Sequence, residues 1–157
     1  MSAAQEAFEF IQSRVGTTEG HGAWFQVTQE QVNAFADATL DHQFIHIDPE
    51  AAKATPFGGP IAHGFLTLSL LVHLTGSIKQ DPATYKGAVM GVNYGLDKVR
   101  FINPVLVGSN IRANSVLSEA VLKDANTVQV KRTITVEIEG IAKPAMIAEW
   151  IGLTVFG

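Results

Sequence analysis

The sequence of 157 residues contains no cysteine, only 6 prolines and only 17% charged residues. Without cysteine there is no disulfide frame, no thiolate nucleophile and no sulfur-ligated zinc. Long hydrophobic runs are missing too. The longest, Gly64 to Leu74, is about half the length a membrane-spanning helix needs, and Thr67, Ser69 and His73 interrupt it. Positive charge is sparse: 11 Lys and Arg stand against 15 Asp and Glu, for a net charge of −4. With the basic residues scattered, no nucleic-acid partner is expected. The opening MSAAQEAFEF lacks a basic start followed by an apolar stretch, so no secretory leader is expected and the expected compartment is the cytoplasm. HExxH, GxSxG, GxGxxG and phosphate-cradling glycine loops are all absent. No cofactor and no metal are expected.

What is present is a 46% hydrophobic chain long enough to bury a substantial core as one domain over residues 1–157. No repeat or linker divides it. The first half reads as helical. Ala3 to Arg14 spaces Phe8, Ile11 and Val15 on one helical face before Gly16, Trp24 to Val27 is a short strand, and Thr28 with Gln31 has capping-box spacing for a helix to about Ala38. Asp48-Pro49 predicts a short capped helix ending before Pro56. Gly64 to Ile78 is apolar around nearly its whole circumference, which predicts one long buried helix. The second half alternates with period two, predicting strands at Ala88 to Phe101, Ser109 to Leu122, Thr127 to Glu139 and Ala145 to Val155, paired consecutively and antiparallel. Arg132 alone breaks the alternation of its strand. The fold class expected is α+β, a curved antiparallel sheet wrapped around a central helix, with strands long enough to pack against a second subunit.

Chemistry concentrates in one stretch. Residues 35–49, FADATLDHQFIHIDP, hold three carboxylates and two imidazoles among apolar neighbours. Asp41 and His46 flank Phe44 and Ile45 on a short loop, so both can turn toward one water as an acid/base pair; the alternative is a turn-forming role. His42, adjacent to Asp41, points elsewhere on this reading. Asp48 is explained by capping and Asp37 by solvent exposure at a helix end. Gly64 begins the buried helix, where unpaired N–H groups suit an oxyanion and the missing Cβ permits close approach; close packing of the helix start explains it equally. His63 either lines the pocket or bonds a loop carbonyl. Ser69 reaches a ligand or the carbonyl four residues back, and His73 is read as structural. The Asp41/His46 pair has no evident third metal ligand.

Asp41-His-Gln-Phe-Ile-His46-Ile-Asp-Pro, then Pro56-Phe-Gly-Gly-Pro60-Ile-Ala-His63-Gly64-Phe65, then Arg100-Phe-Ile-Asn-Pro104-Val-Leu-Val-Gly108, together resemble the MaoC-like dehydratase family, which includes the R-specific enoyl-CoA hydratases. The nodulation-protein-N subgroup is the nearest in pattern. The resemblance runs from about Val27 to the last residue. It implies a hotdog fold, assembled as a homodimer whose sheets join edge to edge. It maps the catalytic pair onto Asp41 and His46 and the oxyanion glycine onto Gly64; His63 and Ser69 are kept beside them as substrate-contact candidates from the residue reading. The activity implied is addition of water to a trans-2-enoyl thioester to give the R-3-hydroxyacyl thioester, or the reverse. The substrate's carrier is then CoA or acyl carrier protein, with Lys98, Arg100 and Lys131 as candidates to meet a phosphate. Two positions depart from the family: Gln43-Phe44 replace an Asn-Pro pair, and Val72 aligns with a serine of some hydratases. A thioesterase and a non-catalytic acyl-binding dimer are the competing functions the same fold permits.

Overall fold

The computed structural model describes residues 1–157. Helix α1, Ala3–Gln12, starts at Ser2, whose hydroxyl accepts the Gln5 N–H. It buries Ala4, Ala7 and Ile11 against Leu117, Val128, Val130 and Phe156 of the sheet. Two short strands follow, β1 over Thr18–His21 and β2 over Phe25–Gln26. Helix α2, Gln29–Thr39, carries the expected capping box: Thr28 accepts from the Gln31 backbone while the Gln31 side chain accepts from the Thr28 backbone.

The sheet order is β1-β4-β5-β6-β3, all antiparallel, built from β3 (Ala88–Phe101), β4 (Asn110–Leu122), β5 (Thr127–Ile138) and β6 (Ile141–Phe156), with β2 also on β4. Consecutive pairing holds for β4, β5 and β6. It fails for β3, which pairs with β6 and not with β4. The cause is the connection after β3. Its backbone bonds the segment before the central helices, through Ala62 N–H to Val105 O and Val107 N–H to Pro60 O, and then reaches β2 through Gly108 N–H to Val27 O. A tight reversal onto β3 is therefore unavailable. Strand β6 also begins earlier than expected. Pro144 has no N–H for the ladder, yet the strand continues through it from the turn at Glu139-Gly140, where Gly140 has φ 76°.

The single long helix expected from Gly64 is two, α5 over Gly64–Ser69 and α6 over Leu71–Gly76, meeting at Leu70. Ser69 Oγ donates to Phe65 O and Thr75 Oγ1 to Leu71 O, both at 2.7 Å. Hydroxyls that bond back one turn in this way bend helices. Nor is the whole circumference buried. Leu66, Thr67, Leu71 and Leu74 face the core, whereas Phe65 and Val72 are 68% and 58% exposed. The apolar side chains of β3, among them Val89, Met90, Val92 and Tyr94, are exposed too.

The end of α6 is pinned by Gly22. Its N–H bonds Ala113 O, and the neighbouring Ala23 N–H donates to Ser77 Oγ at 2.8 Å. A Cβ on Gly22 would overlap the Leu74 carbonyl oxygen and crowd Ser77 Oγ. Gly22→Ala is therefore expected to cost about 1–3 kcal/mol, as overpacking does, read as a lower urea midpoint. An unchanged midpoint would mean that α6 shifts freely.

Arg132 breaks the β5 alternation because it sits on the core side of the sheet. It lies between the cluster under α1 (Val128, Val130) and the cluster under the central helices (Ile134, Val136). Its guanidinium meets Glu19 of β1 twice, Nε at 2.8 Å from Oε2 and an Nη at 3.1 Å from Oε1. Ser115 Oγ donates to the same carboxylate at 2.6 Å.

Candidate active site

The carboxylate and the imidazoles are brought together by a change of chain direction after α2. Leu40 adopts φ 64°, ψ 22°, a left-handed conformation costly for a branched side chain, and it turns the chain into the Asp41 loop. Four residues of helix follow, α3 over Phe44–Ile47, which the sequence reading takes as loop. The turn is too short for periodicity and has no capping side chain. It is held from both sides: Ile61 N–H donates to Ile45 O, and Gln29 Nε2 donates to His46 O at 2.7 Å.

His46 is buried, and its Nδ1 lies 2.7 Å from the Ile61 carbonyl. A carbonyl only accepts, so Nδ1 carries the proton and Nε2 keeps its lone pair. Burial is the largest influence on this imidazole and pushes its pKa below the ordinary 6.5. The bond to Ile61 opposes the shift, the neighbouring His63 adds to it, and Asp41 again opposes it. The folded chain thus resists protonation at His46 while the unfolded chain does not. This contribution to stability is complete above pH 6.5 and is lost as pH falls through the lowered pKa of the folded state. Activity that needs the Nε2 lone pair is expected to fall on the acid side only below pH 6.5. His46→Gln is expected to flatten the fall in urea midpoint between pH 7 and 5, and equal slopes in both proteins would sink the assignment.

His63 lies under the pair. Its ring stacks on His46 with centroids 3.8 Å apart and planes at 25°, and Phe35 packs on it at 4.9 Å. Its Nε2 donates to the Asp41 backbone carbonyl at 3.0 Å, and the Asp41 carboxylate oxygen Oδ2 stands 4.0 Å from the same nitrogen. The Asp41 side chain itself is 52% exposed. Ligating atoms of Asp41, His46 and His63 lie within 4.8 Å of one another. The third nitrogen or oxygen group that spacing did not reveal is therefore His63. As a metal ligand through Nε2 it would have to surrender its bond to Asp41.

Gly64 opens α5 beside this cluster. Its N–H takes no acceptor within the chain, and a Cβ there would stand 3.1 Å from the Phe101 ring. Both sequence readings of this glycine have a basis: a free donor and a tight approach. Ile61, Ala62, Thr67, Phe101 and Asn103 line a cavity of about 240 Å³ next to it. Ser69 does not join this group. It is exposed, spends its proton on Phe65 O, and borders a separate hollow with Leu96 and Trp150.

The remaining residues singled out from sequence fall away from the site. His42 Nε2 pairs with Asp37 Oδ1 at 2.8 Å. Asp48 caps the short helix α4, Pro49–Lys53, accepting from Ala51 N–H. His73 packs edge-on against Phe25 at the surface. Of the three candidate phosphate contacts, Lys131 Nζ is held by Asp97 at 2.6 Å and Lys98 Nζ stands 3.8 Å from Glu149. Arg100 is exposed and meets only the Val99 carbonyl, next to Phe101 of the cavity. Gln29 and the Ile61 carbonyl were not anticipated. A backbone carbonyl has no sequence signature, and Gln29 reads only as the first residue of α2.

No helix is long and apolar enough to cross a membrane. Residues 10–139 match the family model described as MaoC like domain. The "3-hydroxyacyl-thioester dehydratase Z" of Mycobacterium tuberculosis (strain H37Rv) is 49% identical over 146 residues, covering 93% of this chain and 94% of that protein. "Nodulation protein N" of Rhizobium meliloti (strain 1021) is 46% identical over 149 residues, covering 93% and 89%. Among solved structures, the (R)-hydratase from A. caviae involved in PHA biosynthesis aligns with a TM-score of 0.67 at 26% identity, over 88% of this chain and 94% of that one. An Archaeoglobus protein described as a monoamine oxidase regulatory protein aligns with a TM-score of 0.72 at 27% identity, over 91% of each chain.

Proposed function

Since the chain belongs to the MaoC-like dehydratase family, with the hotdog fold of its relatives, we propose that it is a hydro-lyase acting on acyl thioesters. It adds water across the C2=C3 bond of a trans-2-enoyl thioester to give the R-3-hydroxyacyl thioester, or runs the reverse. The observation that carries the reading is the proton-free Nε2 of His46, set by the Nδ1 bond to Ile61, in one cluster with the Asp41 carboxylate.

Asp41 and His46 hold one water between them. The water oxygen bonds to C3, one water proton passes to the pair, and one proton is delivered to C2, so the elements of water add with no redox change. Conjugation moves negative charge onto the thioester oxygen in the transition state. The unpaired Gly64 N–H stabilises that charge where it develops. Neighbouring Arg100 offers a cation for a phosphate of CoA, and acyl carrier protein remains the alternative carrier.

The assay that tests this follows loss of enoyl absorbance from crotonyl-CoA, with chiral analysis of the product. R-3-hydroxybutyryl-CoA supports the reading. Release of free thiol would favour a thioesterase, and inertness across a panel of chain lengths would favour acyl binding without catalysis.

The working unit on this reading is a homodimer. Edge strand β3 has one unpaired side, and Val89, Met90, Val92 and Tyr94 on it are exposed together with Phe65 and Val72. An unpaired apolar edge of this length is a pairing site. Light scattering is expected to give twice the chain mass, and Val92→Lys with Tyr94→Lys is expected to give the monomer. A monomeric wild-type chain at micromolar concentration would count against it.

A further inference from the structure

We propose that His63 is a positioning residue for both members of the pair, fixing the Asp41 backbone through its Nε2–H while its ring face holds the His46 imidazole. The inference rests on the reading of Asp41 and His46 as the residues that handle water.

Three observations carry it. The bond from His63 Nε2 is the one hydrogen bond that ties Asp41 to another segment of the chain; the other, from Gln43 N–H to Asp41 Oδ1, lies inside the loop and is long at 3.4 Å. The same ring lies 3.8 Å from His46, nearly parallel. Its remaining nitrogen, Nδ1, is buried with no partner. An apolar ring would fill the space between Phe35 and His46 without stranding a buried nitrogen, which costs stability. What the imidazole adds over that ring is a donor in the plane of a flat face. With it, one side chain sets the position of a carboxylate that precedes an uncapped four-residue helix and of an imidazole within that helix. His63 itself is 3% exposed and its Nε2–H is spent on the Asp41 carbonyl, so it acts through the pair and not on substrate.

The test uses the full chain with two substitutions that remove different halves of the role. His63→Phe keeps a stacked ring and removes the donor, whereas His63→Gln keeps a donor and removes the ring. Each is expected to lower kcat by about 10²-fold, the scale of a small misplacement of catalytic groups, with KM little changed. In each, the NMR titration of His46 is expected to move upward toward 6.5, because both remove a second titratable imidazole that helps to hold it down. A merely structural His63 would lower the melting temperature and leave kcat of the folded fraction where it was. That result overturns the proposal. Should the wild-type chain fail to hydrate any enoyl thioester, the functional reading falls by itself. Hydrogen exchange at the amides of Asp41 to His46 then still decides, since faster exchange in both variants supports the positioning role and unchanged exchange refutes it.

Discussion

Asp41→Asn is expected to lower the hydration rate by roughly 10²–10⁴-fold, the range a positioned proton-transfer group supplies, while leaving the melting temperature unchanged. The separation of the two effects follows from how Asp41 is held. Its structural bond is made by the backbone carbonyl, which accepts from His63, and its carboxylate is 52% exposed. Asparagine keeps the carbonyl, the size and the exposure. It loses the charge and the ability to exchange a proton. His46→Gln is expected to match the loss of rate and in addition to destabilise, because it strips a buried ring from the stack and leaves the Ile61 carbonyl without its donor. Removing both residues should cost little more than removing one, since groups that act on one water fail together. Stopped absorbance assays on crotonyl-CoA, run beside thermal melts, read both quantities. An Asp41→Asn protein that kept more than about a tenth of the wild-type rate would take the carboxylate out of the reaction.

The largest effect on stability is expected at Glu19. The Glu19–Arg132 pair has side-chain exposures of only 12% and 16% and stands between two apolar clusters. Glu19→Gln leaves a guanidinium in that interior with its compensating charge removed, and breaking one side of a buried pair costs about 3–5 kcal/mol. Tyr85 Oη, 3.3 Å from an Arg132 Nη, is a neutral neighbour and cannot replace the carboxylate. Glu19→Leu combined with Arg132→Met should recover most of the loss, because the double change also removes the cost of burying the charges. Urea denaturation of the two single variants and the double variant closes the thermodynamic cycle. A double variant no more stable than Glu19→Gln would show that the pair is needed for more than its own compensation.

The four long strands, the capping box at Thr28 and the Asp48-Pro49 cap were legible because each leaves a local signature of alternation or of a side chain three residues from its partner. The bend at Leu70 was not, since hydropathy records how apolar a helix is and not where its hydroxyls donate. Periodicity placed β3 correctly and its partner wrongly: strand pairing is decided by the backbone bonds of residues 102–109, several of which go to Ala145 of β6 and to Val27, Pro60 and Ala62, all distant along the chain. At the site, residue type and spacing single out Asp41 and His46 as a candidate pair, and the fold brings their polar atoms within 4.8 Å of each other and of His63. The contacts that hold the two, from the Ile61 carbonyl, Gln29 and the stacked face of His63, are long-range and carry no pattern along the chain.

Strand β3 ends at Phe101, but its only neighbour in the sheet, β6, is not complete until Phe156. In a chain emerging from its N-terminus, the stretch that displays Val89, Met90, Val92 and Tyr94 must wait without a ladder partner while the whole β4–β5 hairpin is made. Closure of so distant a pair is slow, and an apolar strand left open in the meantime is where wrong partners are found. Of the strands in this sheet, the latest in chain order is thus the one that shields the first long strand from mispairing.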